Sequence, residues 1–212
     1  MAGEREVCAV VLAAGRSTRM GQPKLLLPWG ERTIIGQVLA ALREGGAGDI
    51  VIVTGPEEAA IARAADEFRQ PRPVRLVPNP DYQRTEMLVS LQVGIRALQP
   101  DCAAALVAIG DGPTVTAAVV RAVMDAYKPG VTKIVVPSFQ MRRGHPWLVT
   151  RELFPALLAL PADKTPRDFL EAHKDDIHYV VMDAPEILQD VDTPEDYREM
   201  RAIKRSPRSK PR

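Results

Sequence analysis

The sequence predicts an α/β fold, a mostly parallel sheet with helices on both faces. Three observations predict it. Short, continuous apolar runs rich in valine recur along the chain, as strands buried on both faces require. Between them lie segments whose apolar residues repeat at helical spacing, and strands alternating with helices build parallel sheets. Third, Gly15, Thr54-Gly55, Asn79 and Asp111 each follow an apolar run. In open α/β sheets ligands bind beyond the carboxyl ends of the strands, so these are the positions to read for chemistry.

The elements follow in order. Residues 7–14, VCAVVLAA, make the first strand, and a glycine-containing loop follows it. Ile34, Ile35, Val38, Leu39 and Leu42 share one helical face, and Gly45-Gly46 ends that helix. Residues 50–54, IVIVT, form a strand, 57–68 a helix, 74–77 a strand and 87–98 a helix. Residues 103–110, AAALVAIG, form a buried strand that runs into Asp111. Residues 116–127 read as a helix with Thr116 as N-cap, 133–137 as a strand, 151–160 and 166–173 as helices, and 179–182 as a short strand. The last helix spans 194–204, with Thr193 as N-cap and Pro194 at its first position, where a missing N–H is harmless. No repeat or boundary interrupts the pattern. Residues 1–204 therefore read as a single domain, and the basic Pro/Ser-rich tail, 205–212, as disordered.

Composition excludes several function classes. The chain has 212 residues, 46% hydrophobic and 26% charged, with a formal net charge of +1. No global field favours nucleic acid or an acidic membrane surface. The basic tail lacks the aromatic residues on which bases stack. No apolar stretch is long enough to span a bilayer, and the N-terminus has no signal-peptide layout. Cys8 and Cys102 lack metal-ligand spacing and read as small buried residues in a reducing compartment. The expected location is the cytoplasm.

The densest chemistry lies in LAAGRSTRMGQPKLLLPWG, residues 12–30. Backbone N–H groups in a tight glycine-containing loop converge on anions, and Arg16, Arg19 and Lys24 can neutralise a phosphate chain. The spacing is neither that of the ATPase P-loop nor that of a dinucleotide-binding loop. On charge pattern alone, a plain connection carrying solvated arginines fits equally well. A triphosphate brings Mg²⁺, which takes oxygen ligands and only one or two carboxylates. Asp111, at a strand end before Gly112-Pro113, and Asp192, in DVDTPEDY, are the candidates. Both positions also suit local roles, Asp111 in a turn and Asp190 with Asp192 at a helix N-terminus.

The stretch LAAG, then R-M-G, then P-K-L-L-L-P resembles the signature of the MobA-like nucleotidyltransferases, in particular the branch containing molybdenum-cofactor cytidylyltransferase. The resemblance extends over about residues 7–200. It implies a Rossmann-like three-layer α/β/α sandwich of the nucleotide-diphospho-sugar transferase kind. It implies a nucleoside triphosphate over the opening loop, with Leu12, Ala13, Ala14 and Gly15 at backbone-contacting positions and Arg19 and Lys24 at charged ones. GDGP resembles the family's GDxP motif and DVDTPEDY its C-terminal motif, which makes Asp111 and Asp192 the Mg²⁺ ligands and places Arg19, Lys24 and Asp111 in catalysis. Asn79, Ser90 and Gly94 match a third segment, with Ser90 toward base or ribose. Gly144, His145 and Pro146 match a fourth. His145, Arg143 and Arg167 then stand on the substrate side, although a conformational role for His145 and a solvating one for Arg143 fit as well.

The resemblance thus implies transfer of a nucleoside monophosphate from CTP to molybdopterin with release of pyrophosphate. The chain departs from the family at Glu86, where a glycine is usual, at Gly112, where the branch usually has glutamine, and in ADKTPRDFL, which keeps Asp163 and Arg167 but not the second glycine. Two alternatives accommodate these departures: another base with a sugar phosphate or other phosphorylated metabolite as acceptor, or a nucleotide-binding regulator without turnover. His173 and His178 take no role.

Overall fold

The computed structural model describes residues 6–82 and 87–205. Its main sheet has eight strands. Seven run in the order β10-β7-β9-β6-β1-β4-β5: β1 (Val7–Ala13), β4 (Ile50–Thr54), β5 (Val74–Pro78), β6 (Ala104–Ile109), β7 (Ile134–Phe139), β9 (Trp147–Thr150) and β10 (Ile177–Val181). The short β8 (Arg142–Arg143) folds back on β7. A separate two-stranded hairpin joins β2 (Pro28–Trp29) to β3 (Arg32–Thr33). Pairings β1–β4, β1–β6, β4–β5 and β7–β10 are parallel, whereas β9 is antiparallel to both neighbours.

Alternation along β1 divides the core in two. Ala9, Val11 and Ala13 face one cluster with Ile34, Ile35 and Leu39 of α1 (Ile34–Glu44), Ile61 of α2 (Glu58–Ala64) and Val120 of α4 (Ala117–Asp125). Cys8 and Val10 face the other, with Leu91 of α3 (Met87–Arg96), Leu157 of α5 (Phe154–Leu158) and Phe169 of α6 (Pro166–Ala172). This is the three-layer sandwich that the alternation of periods predicts. Gly94 sets how closely α3 lies on the sheet: a Cβ there would stand 2.3 Å from Val10 Cγ1 and 2.9 Å from Val53 Cγ2.

Most predicted elements stand where the sequence places them, with ends shifted by one to three residues. The helix expected over 57–68 is α2 followed by a 3-10 turn, Asp66–Phe68, and α5 is likewise preceded by a 3-10 turn, Arg151–Leu153. Thr116 caps α4 by accepting from the Val119 N–H at 3.4 Å. Thr193 caps α7 (Pro194–Arg205) by accepting from the Asp196 N–H at 3.2 Å. Strand β9 was not predicted. Its four residues are too few to display a period, and its antiparallel course breaks the βα alternation. Glu86 and residues 206–212 of the expected tail 205–212 lie outside the described residues, and Arg205 ends α7.

Candidate active site

Neighbouring parallel strands β1 and β6 bring their carboxyl ends side by side, with Leu12 opposite Ile109. The loops that follow meet at once, and the Gly110 N–H donates to the Leu12 carbonyl at 2.9 Å. After β1 the chain curls tightly: Ser17 takes a left-handed conformation (φ 51°), a 3-10 turn spans Thr18–Met20, and Gly21 reverses the chain with φ 65°. Ser17 Oγ accepts from the Lys24 N–H at 3.2 Å and pins the start of the next turn. Gly55 lets the loop after β4 press on this curl, since a Cβ there would stand 2.6 Å from the Ala14 carbonyl oxygen.

The curl turns the Lys24 side chain back toward the sheet, where it is only 11% exposed. Its Nζ lies 2.6 Å from Asp111 Oδ2 and 2.9 Å from Asp192 Oδ1. Arg19 reaches the other oxygen, Asp192 Oδ2, at 3.0 Å. Burial alone would lower the Lys24 pKa, but the two carboxylates more than reverse that and hold the ammonium above its usual range.

Asp192 reaches this place through two local devices. The Val191 N–H donates to the Asp111 carbonyl at 2.9 Å, which ties the two carboxylate-bearing loops together. Asp196 Oδ2 accepts from the N–H groups of Asp192 at 3.1 Å and Thr193 at 2.7 Å, closing a capping box at the start of α7. The local role that sequence leaves open for Asp190 and Asp192 thus belongs to Asp196. Asp196 escapes a reading by chemical motif, although the T-x-x-D spacing of a capping box marks it. Asp190 joins instead as a third carboxylate: oxygens of Asp111, Asp190 and Asp192 lie within 4.8 Å of one another. Desolvation, then Asp111 and Asp192, push its carboxyl above the usual range. This oxygen-only set fits a divalent cation, and the Lys24 ammonium already stands in for positive charge between two of its members.

A cavity of about 370 Å³ opens over this cluster. Leu12, Ala14, Gly15, Arg19, Lys24, Ser90, Asp111 and Asp192 line it, together with Arg16, Ser17 and Thr18, and with Tyr82 and Met87, which sequence reasoning did not single out. Asn79 is buried behind it. Its Oδ1 accepts from the Asp81 N–H at 3.0 Å, which turns Nδ2 toward Ser90 Oγ at 3.0 Å. Ala13 faces the core.

Other predicted residues stand away from the cavity. His145 is half-buried behind the Asp111 turn, its Nδ1 3.4 Å from the Val107 carbonyl. It shares a small apolar cleft with Gly112. Arg143 donates to Tyr179 Oη at 2.9 Å and pairs with Glu171 at 3.3 Å. Arg167 is exposed near the start of α6.

A carboxylate cluster and a cationic glycine-containing curl at the carboxyl edge of a mostly parallel sheet define a nucleotidyltransferase, on the fold of the nucleotide-diphospho-sugar transferases. The chain belongs to the MobA-like NTP transferase family, whose domain model matches residues 9–177. It is 27% identical over 188 residues to the molybdenum cofactor cytidylyltransferase of Escherichia coli, covering 89% of this chain and 92% of that one. It is 31% identical over 176 residues to a nicotine blue oxidoreductase of Paenarthrobacter nicotinovorans, covering 77% of this chain and 81% of that one. Among solved structures, a manganese complex of Rv0371c from Mycobacterium tuberculosis superposes with a TM-score of 0.75 at 28% identity, covering 93% of this chain and 98% of that one. Relatives with transferase and oxidoreductase names share this domain, so the site must carry the functional reading.

Proposed function

We propose that the protein moves a nucleoside monophosphate from a nucleoside triphosphate to a phosphorylated small molecule and releases pyrophosphate. CTP and molybdopterin are the favoured pair, Mg²⁺ the metal and the cytoplasm the location. The observation that carries the reading is Lys24 Nζ lodged between Asp111 and Asp192 at the floor of the cavity. The similarity to the E. coli cytidylyltransferase supports the choice of pair.

Little covalent chemistry falls to the protein in such a transfer. It must align attacker and leaving group and stabilise charge spreading over the phosphates. The end of β1, Leu12 and Ala13, brings Ala14 and Gly15 under the triphosphate, and Arg19 and Lys24 neutralise it. Ser90 Oγ accepts from Asn79, so its own proton is available to a base or ribose oxygen. Asn79 acts as a positioning residue. Asp111 and Asp192, with Asp190 beside them, would hold the metal, which when bound neutralises phosphate charge. The resemblance assigns His145, Arg143 and Arg167 to the acceptor side; none of them lines the cavity, and Arg143 is held by Tyr179 and Glu171.

Pyrophosphate release tests the proposal. Purified protein is given CTP, GTP, ATP or UTP with Mg²⁺, each with molybdopterin or a sugar phosphate. The expected result is release with CTP and molybdopterin, falling roughly hundredfold or more in Asp111→Asn. Release with another pair would keep the chemistry and replace the substrates. Tight nucleotide binding without release for any pair would make the protein a binder.

A further inference from the structure

We propose that Lys24 is an internal counter-cation that keeps the divalent metal out until nucleotide arrives. The inference rests on the nucleotidyltransferase reading and goes beyond it to the order of binding. Lys24 and Asp192 are 168 residues apart in sequence, yet Nζ makes close contacts with both Asp192 and Asp111. The ammonium occupies one oxygen on each of two of the three carboxylates that would hold a metal. A small divalent ion needs its carboxylate oxygens at roughly 2.0–2.1 Å. A dication there and an ammonium still 2.6 Å and 2.9 Å from those oxygens would face each other across one shared pair. The two cations compete for that pair, so the metal binds weakly while Lys24 is seated and tightly once it has left.

The exit lies in the cavity, which Lys24 lines together with Gly15, Ser17 and Arg19. Its four-carbon stem is jointed and its ammonium carries three donors. Among the described residues, the two aspartates are the anions this ammonium meets without nucleotide. A triphosphate over the curl supplies another. Lys24 then moves from carboxylate to phosphate, and the freed carboxylates receive the metal that the triphosphate brings. Arg19, which holds the outer oxygen of Asp192, has the same exchange open to it. Metal and nucleotide therefore strengthen each other's binding, and the coupling is reciprocal.

Mn²⁺ alone is the probe, followed by its electron paramagnetic resonance signal in nucleotide-free protein. Wild type should bind it weakly. Lys24→Met and Lys24→Gln should each bind it on the order of ten- to hundredfold more tightly. Circular dichroism establishes that both variants fold. Equal or weaker Mn²⁺ affinity in the folded variants overturns the proposal. Should neither variant fold, ¹⁵N NMR of the wild-type Lys24 ammonium decides. The signal should persist with Mg²⁺ alone and shift when CTP is added with Mg²⁺; a shift with submillimolar Mg²⁺ alone overturns the proposal. The functional reading fails separately. If the variants gain Mn²⁺ affinity and wild type binds nucleoside triphosphate but releases no pyrophosphate with any acceptor, the counter-cation stands and the transferase reading falls. If nucleotide binds and turns over but the variants gain nothing, the reverse holds.

Discussion

Arg19 lines the cavity and His145 stands outside it, and the two side chains differ in what burial does to their charge. The Arg19 side chain is 70% exposed, and its pairing with Asp192 adds little to stability, about 0–1 kcal/mol for such surface pairs. In the transfer proposed above, its worth would lie in the transition state, where phosphate charge spreads beneath it. Arg19→Ala should lower kcat roughly hundredfold while moving Tm by no more than about 2–4 °C. A matched loss of both, read by pyrophosphate release and thermal melting, would make Arg19 a structural residue.

His145 is the opposite case. Burial lowers its pKa, against the opposing pull of the Val107 carbonyl and Asp111. The folded state therefore takes up this proton less readily than the unfolded chain, whose imidazole titrates near 6.5. The associated stability is fully present above that pH and declines as pH falls from 6.5 toward the folded-state pKa. Urea melts at about pH 7.5 and about pH 5.5 should show a smaller loss on acidification in His145→Gln than in wild type. Equal losses would mean that the native imidazole protonates freely.

At the scale of elements, α3 carries Ser90 to the cavity and Gly94 one turn later to the sheet. Helix propensity alone says that Gly94→Ala stabilises, by up to about 1 kcal/mol. Packing says the opposite, because the new Cβ would meet Val10 at 2.3 Å. Packing should win: a loss of roughly 1–3 kcal/mol by urea denaturation, with weaker nucleotide binding as Ser90 moves away from Asn79. A stabilised variant would sink this account of α3.

The same element marks what sequence can and cannot convey. The period of residues 87–98, the strand before Asp111 and the cap at Thr116 are local patterns, and each is legible. Lys24, Asp111 and Asp192 can be named from motifs as well. Their mutual ion pairs cannot, because they depend on parallel β1 and β6 ending side by side and on Asp196 turning the last loop inward. Asn79 matches a motif, but its place behind Ser90 rather than in the cavity is decided by two hydrogen bonds. Strand β9 stayed hidden because four residues show no period and its partners are set by tertiary structure.

At the scale of the whole molecule, β9 joins a block of four parallel strands to the pair β7 and β10. Its side chains alternate between the two cores, Leu148 into one and Trp147 and Val149 into the other. We infer that the two faces unfold together, as one domain, since neither keeps its wall without the shared sheet. The two tryptophans allow a direct test, because Trp29 lies in the core beside α1 and Trp147 in the core beside α3. Trp29→Phe leaves a reporter on one face and Trp147→Phe on the other. In each background, fluorescence and far-ultraviolet circular dichroism should give coincident urea transitions. Adding Leu148→Ala should lower stability by about 2–5 kcal/mol as seen by either tryptophan. If Leu148→Ala moved only the Trp29 transition, the faces would be separate cooperative units, and the carboxylate cluster, built from the loops after β6 and before α7, would depend on one face alone.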